Sequence, residues 1–282
     1  MAEILDGKAL AKKIRKELKL EVEDLKKRGV NPKLAVIMVG DNSASQVYVR
    51  NKSKACEKVG IEFEEFLFNK DTSEEELINT IDRLNKDDKI NGILLQSPVP
   101  KHINIQKAFE KISPSKDVDG FNAVNVGKLA TGQDAFISCT PYGIVKILEE
   151  YEIETEGKNA VILGRSNIVG KPMIQCMLNK NATVTVCHSR TKNIGEIIKN
   201  ADILIAAIGK PKFVTADMVK SGAVVIDVGI NRLEDGSLCG DVDFEKVCKI
   251  ASYITPVPGG VGPMTIAMLL NNVVKAAKLT LN

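Results

Sequence analysis

Between Gly7 and Arg28 the apolar residues Leu10, Ile14, Leu18, Val22 and Leu25 recur every third or fourth position. That spacing puts them on one face of a helix, so the stretch predicts an amphipathic helix ending before Gly29. Leu34–Val39 is a short apolar run suited to a buried strand. Gly40-Asp41-Asn42-Ser43 turns the chain, and 44–59 predicts a helix stopped by Gly60. Ile61–Phe68 reads as a second strand. Asp71-Thr72-Ser73 ahead of Glu74 and Glu75 offers a capping box for a helix to Leu84. Gly92–Gln96 is a third strand, ended by Ser97-Pro98-Val99-Pro100.

A looser stretch follows, to Gly132. Helix signals resume at Thr140-Pro141, with Pro at the first helical position and Ile144, Ile147 and Leu148 on one face. Ala160–Leu163, Ala182–Cys187, Ile203–Ala207 and Ala223–Val228 are strand candidates with helical segments between them, and a last helix spans Pro263 to Lys278. Strands alternating with helices predict βαβ units: an α/β protein built on parallel sheets covered by helices.

The length of 282 residues is that of roughly two domains. Lys+Arg 39 against Asp+Glu 36 leaves +3, which argues against a strongly basic nucleic-acid binder. The six cysteines form no C-x-x-C pair, and with only His102 and His188 no zinc spacing arises, so no metal is expected. The cysteines read as small buried hydrophobes of a reducing compartment. Met1–Asp6 lacks a basic segment leading into an apolar one, and no apolar run approaches about 18 residues. A cytoplasmic protein without secretory signal or membrane span is expected.

Ala160–Leu163 runs into Gly164-Arg165-Ser166-Asn167-Ile168-Val169-Gly170, a strand, a glycine turn and a helix start. Backbone N–H groups at such a turn can face a pyrophosphate. It is not G-x-G-x-x-G, since Ser166 takes the second glycine position and the last glycine comes one residue late. About 25 residues further on, where an NAD site would carry an acid for the ribose 2′-OH, stand Cys187-His188-Ser189-Arg190. A carboxylate there would repel a 2′-phosphate, whereas Arg165, Ser189 and Arg190 could hold one, which favours NADP. The plainer alternative makes both arginines surface charges.

In the first half, Tyr48 and Lys52 stand four apart and share a helix face. A hemmed-in Lys can move protons and Tyr can stack on a flat ligand, although such a pair is commonly just a solvated face. Gln96 ends a strand, where doubly wound sheets line their ligand crevice, and could orient a neighbouring Lys or merely cap. Asp119 could bind an amino-pyrimidine edge or stabilise a turn. Pro258-Gly259-Gly260-Val261-Gly262-Pro263 exposes bare backbone that a ligand could approach closely.

The chain resembles the bifunctional methylenetetrahydrofolate dehydrogenase/methenyltetrahydrofolate cyclohydrolase family from its first helix to its last. The resemblance is carried by Tyr48-Val49-Arg50-Asn51-Lys52, Gly92-Ile93-Leu94-Leu95-Gln96-Ser97-Pro98, Lys116-Asp117-Val118-Asp119-Gly120-Phe121, Gly164-Arg165-Ser166 with Val169-Gly170-Lys171-Pro172, and Thr255 to Thr265. Ser97 departs from it, standing where the family usually has Leu.

The resemblance implies an N-terminal folate and catalytic domain over residues 1–138 and a Rossmann-like, doubly wound NADP-binding domain over 139–262. It also implies an active-site cleft between them, and the terminal helix 263–282 is expected to pack back on the first domain. Lys52 would be the catalytic lysine, Gln96 would tune it, Tyr48 would pack on the folate and Asp119 would hold the pterin ring. Pro98, Pro258, Gly259 and Gly260 would line the folate site. Gly164, Arg165, Ser166 and Ser189 would bind NADP, with Arg190 beside them and Ile230 at the nicotinamide end. The implied activity is oxidation of 5,10-methylenetetrahydrofolate with NADP, then hydrolysis to 10-formyltetrahydrofolate, by a homodimer joined through the nucleotide-binding domain. A shikimate-dehydrogenase-like enzyme and a nucleotide sensor without turnover are the rivals, but a decayed sensor would not keep both Lys52 and Gln96. ATP-dependent ligation of formate would need a further large domain.

Overall fold

The computed structural model describes residues 1–281. In chain order its elements are β1 (Glu3–Ile4), α1 (Gly7–Lys27), β2 (Lys33–Val39), α2 (Ser43–Val59), β3 (Glu62–Phe68), α3 (Glu74–Lys86), β4 (Gly92–Leu95), α4 (Ile105–Lys111), α5 (Ala123–Ala130) and α6 (Cys139–Glu150). Then come β5 (Asn159–Leu163), α7 (Gly170–Leu178), β6 (Thr183–Cys187), α8 (Ile194–Ile198), β7 (Ile203–Ala206), β8 (Val224–Asp227), β9 (Asn231–Arg232), β10 (Leu238–Cys239), α9 (Phe244–Val247), β11 (Tyr253–Ile254) and α10 (Val261–Leu279).

The chain forms two compact units, one of Met1–Lys12 with Cys139–Thr265, the other of Lys13–Ser138 with the chain from Ile266 onward. The first residues thus group differently from the expected 1–138 domain, because β1 pairs in parallel with β11.

The unit beginning at Lys13 holds a parallel sheet of order β3-β2-β4. Central β2 is buried along Leu34–Val39, which explains its unbroken apolar run. Leu77, Ile81 and Leu84 of α3 pack with Ile37, Ile93 and Leu95. That helix starts as its sequence suggests, with Ser73 Oγ accepting the Glu76 N–H at 3.1 Å. Gly60 ends α2 in a left-handed conformation, φ 89°.

The stretch that looked loose contains α4 and α5, each begun by an asparagine cap, Asn104 and Asn122. Helices this short show little periodicity. The buried carboxylate of Asp117 organises the turn between them, accepting from the N–H groups of Gly120, Phe121 and Asn122 and from Asn125 Nδ2. Burial pushes that carboxyl up, and these donors oppose the rise. Asn272 Nδ2, on the part of α10 in this unit, donates to the Val118 and Ile137 carbonyls.

The other unit is a parallel sheet of order β1-β11-β8-β7-β5-β6. Val161, Leu163, Leu204, Val225 and Ile254 join one core there. α6 begins at Cys139, so Pro141 is its third residue, still in the first turn where a missing N–H costs nothing. α10 likewise begins earlier, at Val261. Both sheets have the doubly wound plan: the chain leaves β2 for β3 on one side and returns to β4 on the other, and likewise leaves β5 for β6 and returns to β7. The reversal falls between β2 and β4 in one unit and between β5 and β7 in the other, the places where such sheets take ligands.

Candidate active site

Lys52 lies on α2, directly after β2, and Gln96 is the first residue after β4, so both sit at the carboxyl side of the reversal. Lys52 Nζ donates to Gln96 Oε1 at 2.8 Å, and Gln96 Nε2 donates to the Ser97 carbonyl at 2.7 Å. An ammonium can only donate and a carbonyl only accept, so these two partners fix which way the amide faces. Gln96 is buried and Lys52 half-buried. The lysine is therefore held by a neutral acceptor.

Tyr48, one turn earlier on α2, is 51% exposed, leaving its ring open to a ligand. Cys56, one turn later, is buried, and burial pushes its thiol up to about 12, so it stays an uncharged thiol beside Lys52. The segment carrying Asp119 runs parallel to β4 through the Ile93–Asp117 bridge, toward the same strand end as Gln96. Asp119 is half-buried, and Pro98 is exposed.

Replacing Gln96 by Glu puts a carboxylate against Lys52 Nζ and should raise the proton affinity of the lysine. The pH profile of any proton transfer that Lys52 performs is expected to move alkaline by about one pH unit. A lower rate on an unmoved profile would show that Gln96 does not tune the lysine.

In the other unit a cavity of about 260 Å³ opens at the β5/β7 reversal. Gly164 and Arg165 line it after β5, His188 and Ser189 after β6, and Ala207, Ile208 and Lys210 after β7. Gly164 has φ +125°, and a Cβ there would meet the Ala207 carbonyl oxygen at 2.3 Å. At Gly170 a Cβ would come within 2.4 Å of the Gly164 oxygen. Glycine is thus needed at both positions, and a cavity ringed by Arg165, His188, Ser189 and Lys210 fits the phosphate-bearing end of NADP.

Ser166 Oγ accepts from the N–H groups of Val169 and Gly170 at 3.2 and 3.3 Å, closing the turn ahead of α7 at the position where a second glycine was sought. Arg190 is exposed and its backbone N–H donates to His188 Nδ1 at 3.2 Å. Arg165 and Ser189 are among the residues lining the cavity, and Arg190 is next to Ser189 in sequence. Lys210 and Ile208 escaped the sequence reading, although the rule about strand ends applies to them as it does to Gln96.

Ile230, 54% exposed, sits in the loop after β8. Gly259 has φ +113°, and its carbonyl accepts the Lys8 N–H at 2.8 Å. At Gly260 a Cβ would lie 2.6 Å from the Pro256 oxygen, and one on Gly7 would lie 1.9 Å from the Gly260 oxygen. These glycines have a packing reason of their own, while Pro258 remains exposed. Among the described residues no cluster of three His, Cys, Asp or Glu side chains forms, and no helix is long and apolar enough to cross a membrane.

Asp227, at the end of β8, is buried, and burial pushes its carboxyl up to about 6, with the Asp241 charge adding and three backbone N–H donors opposing. A raised carboxyl binds its proton more tightly folded than unfolded. Its contribution to stability is complete below the ordinary value of 3.8 and is lost as pH rises through about 6. The urea midpoint of the parent chain minus that of Asp227→Asn should therefore fall between about pH 4.5 and 7.5. A flat difference would mean that the N–H donors keep Asp227 ionised throughout.

The reversal-point cavity and its glycine turn define a nucleotide-binding α/β protein of the Rossmann-like class. Residues 138–281 match the model of the tetrahydrofolate dehydrogenase/cyclohydrolase NAD(P)-binding domain, and residues 5–119 match that of its catalytic domain. The chain belongs to the tetrahydrofolate dehydrogenase/cyclohydrolase family. The bifunctional protein FolD of Acetivibrio thermocellus is 59% identical over 278 residues, 99% of this chain and 98% of that one. The crystal structure of the bifunctional enzyme FolD from Campylobacter jejuni superposes with a TM-score of 0.99 at 53% identity, covering 99% of this chain and 100% of the other. That of the Trypanosoma brucei dehydrogenase-cyclohydrolase, complexed with NADP and an inhibitor, has a TM-score of 0.95 at 39% identity, covering 100% and 99%.

Proposed function

We infer that this chain oxidises 5,10-methylenetetrahydrofolate to 5,10-methenyltetrahydrofolate with NADP as hydride acceptor, and then hydrolyses that product to 10-formyltetrahydrofolate. The observation that carries the reading is the 2.8 Å contact of Lys52 Nζ with the Gln96 amide at a doubly wound reversal point, in a chain of this family.

Gly164, Arg165, Ser166 and Ser189 would hold NADP, with Arg190 at the rim and Ile230 toward the nicotinamide. Bound NADP supplies the hydride acceptor. Loss of hydride from the carbon bridging N5 and N10 leaves a delocalised cation without any proton transfer, so the protein's task is positioning. Tyr48 stacks on the folate, Asp119 accepts from the amino-pyrimidine edge, and Pro98, Pro258, Gly259 and Gly260 line the remainder of the folate site.

Hydrolysis does move protons. Water adds to the cationic carbon and gives up one proton to Lys52 acting as its free amine. Lys52 then delivers that proton to N5 as the carbon–N5 bond breaks, while the hydroxyl proton of the adduct leaves to solvent as the formyl carbonyl forms on N10, so one proton is released and the charge of the cation is balanced. Gln96 keeps Lys52 aimed without the acid-strengthened grip that a carboxylate would exert. The working form is a cytoplasmic homodimer joined through the nucleotide-binding unit, with folate and NADP as its small-molecule partners.

The test is formation of reduced cofactor from 5,10-methylenetetrahydrofolate, with NADP and NAD run in parallel. Turnover with NADP well above NAD is expected. Turnover with NAD alone would overturn the reading of Arg165 and Ser189, and none with either would remove the dehydrogenase activity.

A further inference from the structure

We propose that Asp241 is a positioning residue for the NADP site, holding two separate cofactor loops with one buried carboxylate; the proposal rests on the NADP reading above. Asp241 is fully buried. Its Oδ2 accepts the N–H groups of Ile208 and Gly209 at 2.7 and 3.0 Å, and its Oδ1 accepts the Lys210 N–H at 2.8 Å. Three successive amides facing one anion make a nest, a backbone shape that closes on a negative charge. Here the anion is internal, so the loop after β7 is shaped before any ligand arrives. Ile208 and Lys210 of that loop line the cavity.

The same carboxylate reaches the loop after β8. Asn231 Nδ2 donates to Asp241 Oδ1 at 2.9 Å, fixing the neighbour of Ile230. Gly229 is packed so tightly there that a Cβ would stand 2.3 Å from Asp241 Oδ1. Asp241 is itself tethered, since its N–H and that of Val242 both donate to Asp227, each at 2.9 Å, as does that of Gly229. One side chain thus sets the cavity wall through three amides and the nicotinamide-end loop through one amide side chain.

The two links can be cut separately. Asp241→Asn turns an acceptor toward N–H donors into a donor and should disturb both loops, whereas Asn231→Ala severs only the second. Dissociation constants for NADPH and for 2′,5′-ADP, which lacks the nicotinamide half, are measured without folate. Hydrolysis of 5,10-methenyltetrahydrofolate is measured without NADP. For Asp241→Asn, both ligands should bind about tenfold more weakly while kcat/KM of hydrolysis stays within about twofold. For Asn231→Ala, NADPH should weaken several-fold and 2′,5′-ADP should not.

Parent-like affinities in Asp241→Asn, or hydrolysis falling in step with affinity, would overturn the proposal. If Asp241→Asn does not fold, Asn231→Ala decides: unchanged NADPH affinity, or equal losses for both ligands, refutes the positioning role. Failure of the parent chain to bind NADPH removes the cofactor reading and the positioning role with it, a result distinct from normal binding that the substitutions leave untouched.

Discussion

Lys52→Ala is expected to lower hydrolysis of 5,10-methenyltetrahydrofolate by about a thousandfold, the middle of the range for losing a positioned proton-transfer group. NADPH affinity should stay within about twofold, because the cofactor residues lie on other strands in the other unit. Gln96 cannot take over, since an amide does not titrate in water, and the Cys56 thiol is held near 12 by burial. Removing the ammonium leaves Gln96 Oε1 without the bond recorded at 2.8 Å, an extra cost of about 1 kcal/mol in stability. Hydride transfer needs no base, so any loss of that activity should trace to misplaced folate and appear in KM. Stopped-flow loss of methenyl absorbance checks the first effect, and near-normal hydrolysis by the folded variant would remove Lys52 from the chemistry.

Gly164→Ala is the second large effect. The backbone at φ +125° is a region where a side chain costs about 1–3 kcal/mol, and the new methyl would press on the Ala207 carbonyl oxygen at 2.3 Å. Neither strand can retreat easily, because Leu163 and Ala206 beside them are registered partners in the sheet. The glycine turn should therefore shift away from the cavity it lines, raising the KM for NADP more than tenfold. Hydrolysis should survive, since Lys52 and Gln96 belong to the other unit. The pair of assays run on one preparation checks the claim, and an unchanged KM would mean that the turn does not shape the cofactor site.

Much of this arrangement is legible in residue order. The stripe of α1, the apolar run of β2, the serine cap of α3 and the glycine stop of α2 are local signals, each satisfied within a few residues. The pairing of Lys52 with Gln96 spans 44 positions, yet it follows from a helix after one strand and an amide at the end of another. Other features depend on distant partners that leave no local mark. Two-residue strands such as β1 and β11 show no alternation. The hydroxyl of Ser166 also closes its own turn, a bond that the residue order alone does not announce. Arg190 attracted attention by charge, while Lys210 lines the cavity because of where β7 ends. Asp227 and Asp241 sit in an unremarkable stretch of sequence, and only the folded loops around them reveal what they hold.

Strand β1 has a further consequence. Since Glu3 and Ile4 complete the edge of a sheet whose other strands come from the second half of the chain, no single cut frees either unit whole. A gene fragment encoding residues 139–265 would yield a sheet with β11 bare, its unpaired N–H and C=O groups offered to any strand nearby. Such a fragment should unfold at a lower urea concentration than the same unit carrying residues 1–12, and an equal midpoint would show that β1 adds nothing to the sheet. The two activities are thus bound into one heritable piece by the path of the backbone, and recombination that swapped only one of them would have to carry the opening residues along.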